Sequence, residues 1–218
     1  MSKMAQLHLV KKLSHLKEEQ RFVDEVRVDP FGLSLTRGAL TEIAGEPSSG
    51  KTSLALSVLA KLTAAGEICA VVDSSDSFDP RTAVLAGVEI ENLLWVKCGS
   101  DLESSFMAAD YLVQAKGFGA IWLNLNGLPR QKLRQVPRTY WYRYRTRIKE
   151  TPTMLIITAA NPVSGSASQS SFLFSRERVN WSGSGKFKLL RGLHIGMNSR
   201  KELISPMQTV VEVDYSDV

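Results

Sequence analysis

Apolar positions cluster in short blocks from Ala39 onward, and segments of helical period lie between them. ALTEIA (39–44), ICAVVD (68–73), LLWV (93–96), AIWLNL (120–125) and MLIITA (154–159) each read as a strand. Residues 50–65 have helical periodicity and stop at Gly66. Asp79 and Pro80 supply an N-cap and an N1 proline for a helix to about Ala86. Ser100-Asp101-Leu102-Glu103 reads as a capping box, opening a helix to about Lys116. Strands separated by helices of this length predict βαβ units and a mainly parallel sheet flanked by helices. After Phe172 the blocks shorten. Shorter strands are expected there, with WSGSGK as a hairpin turn, giving an antiparallel extension that ends with MQTVVEVDY.

Upstream of Ala39 the pattern differs. Leu9, Leu13 and Leu16 share one helical face, so residues 4–25 are expected to form a polar helix. Asp29, Pro30 and Gly32 then break it. The organisation that follows is an N-terminal helical arm over 1–36 and one core domain over 37–218, with no separate C-terminal domain. Deleting residues 1–25 is expected to leave a folded core.

Composition narrows the class. With 218 residues, 44% apolar and 22% charged, the chain has what a globular domain of this size needs to bury a core. Largely disordered chains are excluded. No apolar run reaches the ~18 residues of a membrane span. MSKMAQLHLVKK lacks the layout of a secretory signal. Cys69 and Cys98 sit in apolar stretches and read as reduced core residues of a cytoplasmic protein.

Charge is distributed unevenly. Residues 1–125 carry 12 Lys+Arg against 16 Asp+Glu, whereas residues 126–201 carry 15 against 2, an excess of +13. Such a split predicts a polyanion or an acidic partner on one side, or else a solubilising face.

Residues 45–52 read Gly45-Glu46-Pro47-Ser48-Ser49-Gly50-Lys51-Thr52, the full G-x-x-x-x-G-K-[ST] pattern, between a predicted strand and a predicted helix. Glycines let backbone N–H groups converge on phosphate oxygens at a helix N-terminus. Lys51 is placed to reach the β- and γ-phosphates, and the Thr52 hydroxyl to bind Mg²⁺ if a nucleotide is held.

Residues 45–96, with this loop and the segment V-V-D-x-x-x-x-x-D-P, resemble the ATP-binding core of bacterial RecA recombinases. A weaker likeness runs from Arg37 to the end. The resemblance implies a RecA-like α/β P-loop core. It also implies positions at which this chain departs. The family's water-orienting glutamate, two residues beyond the aspartate matching Asp73, is Ser75. The aspartate of the Mg²⁺ shell is Asn124. The γ-phosphate-sensing glutamine is Ala160, and the ring that stacks on adenine is Thr82, while Asp79, at the adenine edge, is retained. An ATPase missing these groups is expected not to hydrolyse, and ATP with Mg²⁺ is expected to bind weakly or not at all.

A short RecA-like core with these losses is similar to the ImuA family of bacterial mutagenesis cassettes. That likeness implies an accessory role in the SOS response and translesion synthesis, through contacts with RecA and an ImuB-like polymerase-related protein. Two other readings stay open: a small DNA-dependent ATPase using Asp73 and Asp76 in rearranged roles, and a SulA-like regulatory module that binds protein alone.

Residues 137–149, PRTYWYRYRTRIK, interleave cations with rings, a combination suited to single-stranded DNA. Val136, Tyr140, Tyr144 and Ile148 also recur at a spacing that would bury them on a helix. Strand alternation is the other option. In RecA-like proteins the DNA loops follow the strands ending near Leu125 and Ala160. Here residues 127–138 are basic, and the uncharged 161–171 is expected to be mobile. Candidate DNA or partner contacts are Arg130, Lys132, Arg134, Arg138, Arg143, Arg145, Arg147, Arg176 and Arg178.

Overall fold

The computed structural model describes residues 24–184, 186, 188–201 and 207–212. Among these, ten strands and five α-helices follow one another: β1 (Glu25–Val28), β2 (Leu33–Thr36), β3 (Leu40–Gly45), α1 (Lys51–Ala64), β4 (Cys69–Asp73), α2 (Pro80–Leu85), β5 (Leu93–Lys97), α3 (Leu102–Ala115), β6 (Ala120–Asn124), α4 (Arg130–Arg134), α5 (Arg138–Ile148), β7 (Met154–Ala159), β8 (Ser170–Ser182), β9 (Leu189–Ser199) and β10 (Met207–Glu212). The main sheet has the order β10-β9-β8-β3-β7-β6-β4-β5. It is parallel from β8 to β5, while β8/β9 and β9/β10 are antiparallel. The architecture is therefore the expected α/β one.

Period-two alternation divides the strands between two cores. Val71, Trp122 and Ile156 point to the side covered by α1. Their neighbours Ala70, Val72, Ile121, Leu123, Leu155 and Ile157 point to the side covered by α3 and α5. Trp122 donates its indole N–H to the Thr158 hydroxyl at 2.9 Å, so its polar atom is satisfied in the interior.

The region before β3 departs from the helical-arm expectation. Residues 4–23 of that helix lie outside the described residues. Residues 25–36 form an antiparallel hairpin, β1–β2, closed by a 3-10 turn at Asp29–Phe31. Val26, Val28, Phe31, Leu33 and Leu35 are buried in the α1-side core, and the rings of Phe31 and Phe174 stack at 6.0 Å. Packing sets no boundary at residue 36.

Three smaller expectations are corrected. The N-cap of α3 is Asp101, accepting from the amides of Glu103 and Ser104 at 3.1 and 3.3 Å; Ser100 precedes it with a positive φ of 66°. The strands after Phe172 are long, with 13 residues in β8 and 11 in β9. Residues 161–171 are pinned by the buried Glu42 of β3. Its carboxylate accepts from the amides of Val163 and Ser164 at 2.6 and 2.7 Å and from the Ser171 hydroxyl at 2.8 Å. The Gln169 amide also donates to the Leu40 carbonyl at 2.8 Å. Cys69 is buried and Cys98 half-buried, both as free thiols, and burial pushes the Cys69 thiol up to about 11. Among the described residues no helix is long and apolar enough to cross a membrane.

Candidate functional site

Gly45–Thr52 links the end of β3 to the start of α1. Two glycines are required by close approach. A Cβ on Gly45 would lie 2.3 Å from the Phe174 carbonyl oxygen. One on Gly50, where φ is 91°, would lie 2.2 Å from Cδ1 of Ile195. β8 and β9 therefore press directly against the loop. At Gly45 a backbone oxygen leaves no room for a side chain, and at Gly50 the left-handed φ favours glycine. Lys51 is buried and folds back on the loop. Its ammonium donates to the carbonyls of Gly45 and Glu46 at 2.7 and 2.6 Å. Burial pushes its pKa below the ordinary lysine value, and Glu46 partly offsets this. Thr52 is exposed beside it.

One cavity, of about 330 Å³, opens between the loop and the C-terminal ends of the strands. It is lined by Gly45, Pro47, Ser48, Lys51 and Thr52 on one side and by Ser77, Asn124, Asn126, Gly127 and Ala160 on the other. Such crevices at strand ends are where open α/β sheets hold ligands. The structure thus brings the loop together with Asn124 and Ala160. Ser75 and Asp79 do not line this cavity. Among the described residues, Lys51 is the only charged side chain on its walls.

Behind the wall lies a polar network. The Asn124 amide donates to the Ser77 hydroxyl at 2.9 Å, and its carbonyl accepts from the Asn126 side chain at 2.9 Å and the Thr158 hydroxyl at 3.2 Å. The Ser75 hydroxyl donates to the Asn126 carbonyl at 2.5 Å. Asp73 is fully buried, and its carboxylate accepts from the amides of Ser77 at 3.1 Å and Phe78 at 2.9 Å. That geometry makes Asp73 the cap of the 74–78 turn. Asp76, with φ of 53°, is exposed and lines no part of this cavity. Replacing Asp73 by alanine takes the acceptor from the amides of Ser75, Ser77 and Phe78. It is expected to cost about 3 kcal/mol, a fall in Tm of roughly 6–12 °C. A thermal melt checks this, and an unchanged Tm would free Asp73 for a chemical role.

Asp79 is likewise engaged. It caps α2 by accepting from the amides of Arg81 and Thr82 at 3.1 and 3.2 Å and from the Thr82 hydroxyl at 2.6 Å. The Thr82 hydroxyl, followed by the Arg81 amide, holds its carboxyl below the usual range.

The basic candidates fall into separate groups. α5 is a helix and not a strand. Tyr144 and Ile148 are buried as the spacing predicts, Val136 and Tyr140 are half-buried against the same core, and Trp141 is buried beside them. The Tyr144 hydroxyl donates to the Phe106 carbonyl at 2.7 Å. Arg143 and Arg147 both pair with Asp110 of α3, Arg143 at 2.9 Å, which ties α5 to α3. Arg145 is exposed and reaches the Ser166 carbonyl at 3.4 Å. Lys132 lines a different cavity, of about 410 Å³, with Asp101 and Glu103. Arg130, Arg134 and Arg138 converge on a third, of about 420 Å³, with Asn161 and Val163. Arg200 joins them there from beyond β9, too far along the chain for local pattern to announce it. Arg176 faces the phosphate loop instead, and Arg178 is exposed on β8.

With this geometry in view, similarity to known proteins is informative. Residues 31–124 match the RecA N-terminal domain. Protein RecA of Picosynechococcus sp. is 40% identical over 85 residues, covering 39% of this chain and 24% of that protein. Protein RecA of Rubrobacter xylanophilus is 39% identical over 85 residues, with the same coverage. Protein RecA of Arthrospira platensis is 49% identical over 64 residues, covering 29% of this chain and 18% of the relative. Residues 31–124 are thus similar to RecA, and the match spans about a quarter or less of each relative's length.

Proposed function

We propose that the chain is a non-hydrolysing RecA-like accessory protein of the bacterial DNA-damage response, with the role of the ImuA family in SOS mutagenesis and translesion synthesis. In this reading it acts in the cytoplasm by binding RecA and an ImuB-like polymerase-related protein, and its basic half also takes single-stranded DNA. The observation that carries the reading is the cavity beside Gly45–Thr52, whose described walls offer a lysine and neutral amides but no carboxylate.

The loop fits a phosphate chain. The N-terminus of α1, the left-handed Gly50 and the adjacent Lys51 supply amides and a cation, once Lys51 releases the Glu46 carbonyl. Mg²⁺ finds a poorer fit, with the Thr52 hydroxyl present and Asn124 where a carboxylate would strengthen the shell. Among the described residues, no group on the cavity wall is a base for water. The ATPase alternative needs Asp73 and Asp76. The first is occupied by amides and the second lies outside the cavity. Bound nucleotide would then act as a structural ligand and not as a fuel.

The test is phosphate release from Mg·ATP, with and without single-stranded DNA. Rates are expected to equal those of Lys51→Ala and of buffer. Turnover that disappears in Lys51→Ala overturns the reading in favour of an enzyme. The partner claim is read separately, as co-purification of the full chain with purified RecA.

A further inference from the structure

We propose that the β8–β9 hairpin supplies the platform for the base of a nucleotide whose phosphates sit on Gly45–Thr52, with Trp181 as the stacking ring and Arg176 beside the phosphates. This rests on the reading of the loop as a phosphate site and names the groups that would recognise the rest of the molecule.

A groove of about 290 Å³ runs between the two elements. One wall is Ser48–Ser53, and the other is Arg176, Val179, Trp181, Leu190 and Leu193 of the hairpin. Its size is at the small end of ligand sites, about 300–1,000 Å³. The hairpin wall is apolar by construction. Val179 and Trp181 alternate onto one face of β8, and their cross-strand partners are Leu193 and Leu190. Two irregularities fall along β8 here, between Arg176 and Arg178 and between Asn180 and Trp181. Bulges re-aim side chains and favour the neighbourhood of sites.

Trp181 is 57% exposed, whereas Trp122 and Trp141 are fully buried. An indole kept at the surface beside a phosphate loop has the geometry for stacking on a flat ring. Arg176 makes no ion pair among the described residues and lies on the same groove, and a guanidinium there matches phosphate oxygens. The start of α2 offers a base no stacking ring. Asp79 is occupied as a helix cap, and Thr82 has no ring. The hairpin is also held in register with the loop, because Ile195 packs against Gly50.

The experiment compares Mg·ATP with Mg·tripolyphosphate, which has the phosphates and no base, by calorimetry and by tryptophan emission. ATP is expected to bind about tenfold more tightly than tripolyphosphate and to quench emission that Trp181→Phe removes. Trp181→Ala should bring ATP down to the tripolyphosphate level and leave tripolyphosphate unaffected. Trp181→Phe should keep most of the difference. If tripolyphosphate binds and ATP gains nothing, or if Trp181→Ala leaves ATP affinity unchanged, the platform is overturned while the loop assignment stands. If neither ligand binds, both are overturned.

Discussion

Deletion of residues 1–36 is expected to abolish cooperative folding, although the phosphate loop and its strand lie wholly beyond the cut. Val26, Val28, Phe31, Leu33 and Leu35 are between 0% and 4% exposed. Each such side chain contributes about 1.5–3 kcal/mol on burial, so the five together contribute about 8–15 kcal/mol. Net stabilities of domains are only about 5–15 kcal/mol. Removing the hairpin also uncovers Phe174 and the adjoining face of α1. Deletion of 1–25 is a milder change. It removes the Asp24 carboxylate and carbonyl that bind Arg37 and the first residue of β1, but keeps the apolar set. That shorter truncation should melt cooperatively at a lower Tm. Circular dichroism and a thermal melt of the two truncations decide the matter. A cooperative transition in the chain lacking 1–36 would restore the boundary at residue 36.

The hairpin is hard to read in the sequence for a physical reason. EVRV and LSLT alternate polar and apolar residues, as a strand with one buried face must, but each has only four residues. A run of four fits either period, and the leucines upstream favour the helical one. β8 and β9 pose the opposite difficulty. Beyond Ser175 their side chains are mostly exposed or half-buried. Backbone pairing extends these strands well past the point where apolar pattern marks them. The parallel core is legible because most of its strands are buried on both faces and stand out as continuous apolar blocks.

At the site, legibility follows sequence distance. Gly45–Thr52 is a local motif with a local cause. Ser75, Asn124 and Ala160 are recognised through resemblance, since nothing about a serine or an asparagine alone marks a missing carboxylate. Long-range convergence is not legible. Glu42 looks like a solvent-facing residue in ALTEIA, yet it is fully buried and anchors residues 163–171. The interleaved PRTYWYRYRTRIK reads as one binding segment, yet α5 turns its cations to different tasks. Arg143 and Arg147 hold Asp110, and Arg138 lines the cavity shared with Arg200.

That division predicts which arginines a polyanion would notice. Replacing Arg130, Arg134, Arg138 and Arg200 together by glutamine is expected to weaken binding of a labelled single-stranded DNA by at least a hundredfold at low salt. All four are exposed, line one cavity and come from three different segments. Each phosphate–arginine pairing removed should lower the slope of log K against log salt by about 0.7, so four should lower it by about 3. Sequence of the oligonucleotide should matter little, because phosphate contacts carry no base information. Arg143→Gln and Arg147→Gln should behave differently. They release Asp110 and loosen α5 from α3, so they should lower the Tm by a few degrees and leave the salt slope intact. Fluorescence anisotropy across a salt series, paired with melts of the same variants, separates the two effects. If the unaltered chain binds no DNA even at low salt, the four-arginine cavity serves an acidic protein surface and not a nucleic acid. If DNA binds but the quadruple variant keeps both affinity and slope, the polyanion lies elsewhere on the basic half, with Arg145 and Arg178 the next exposed candidates.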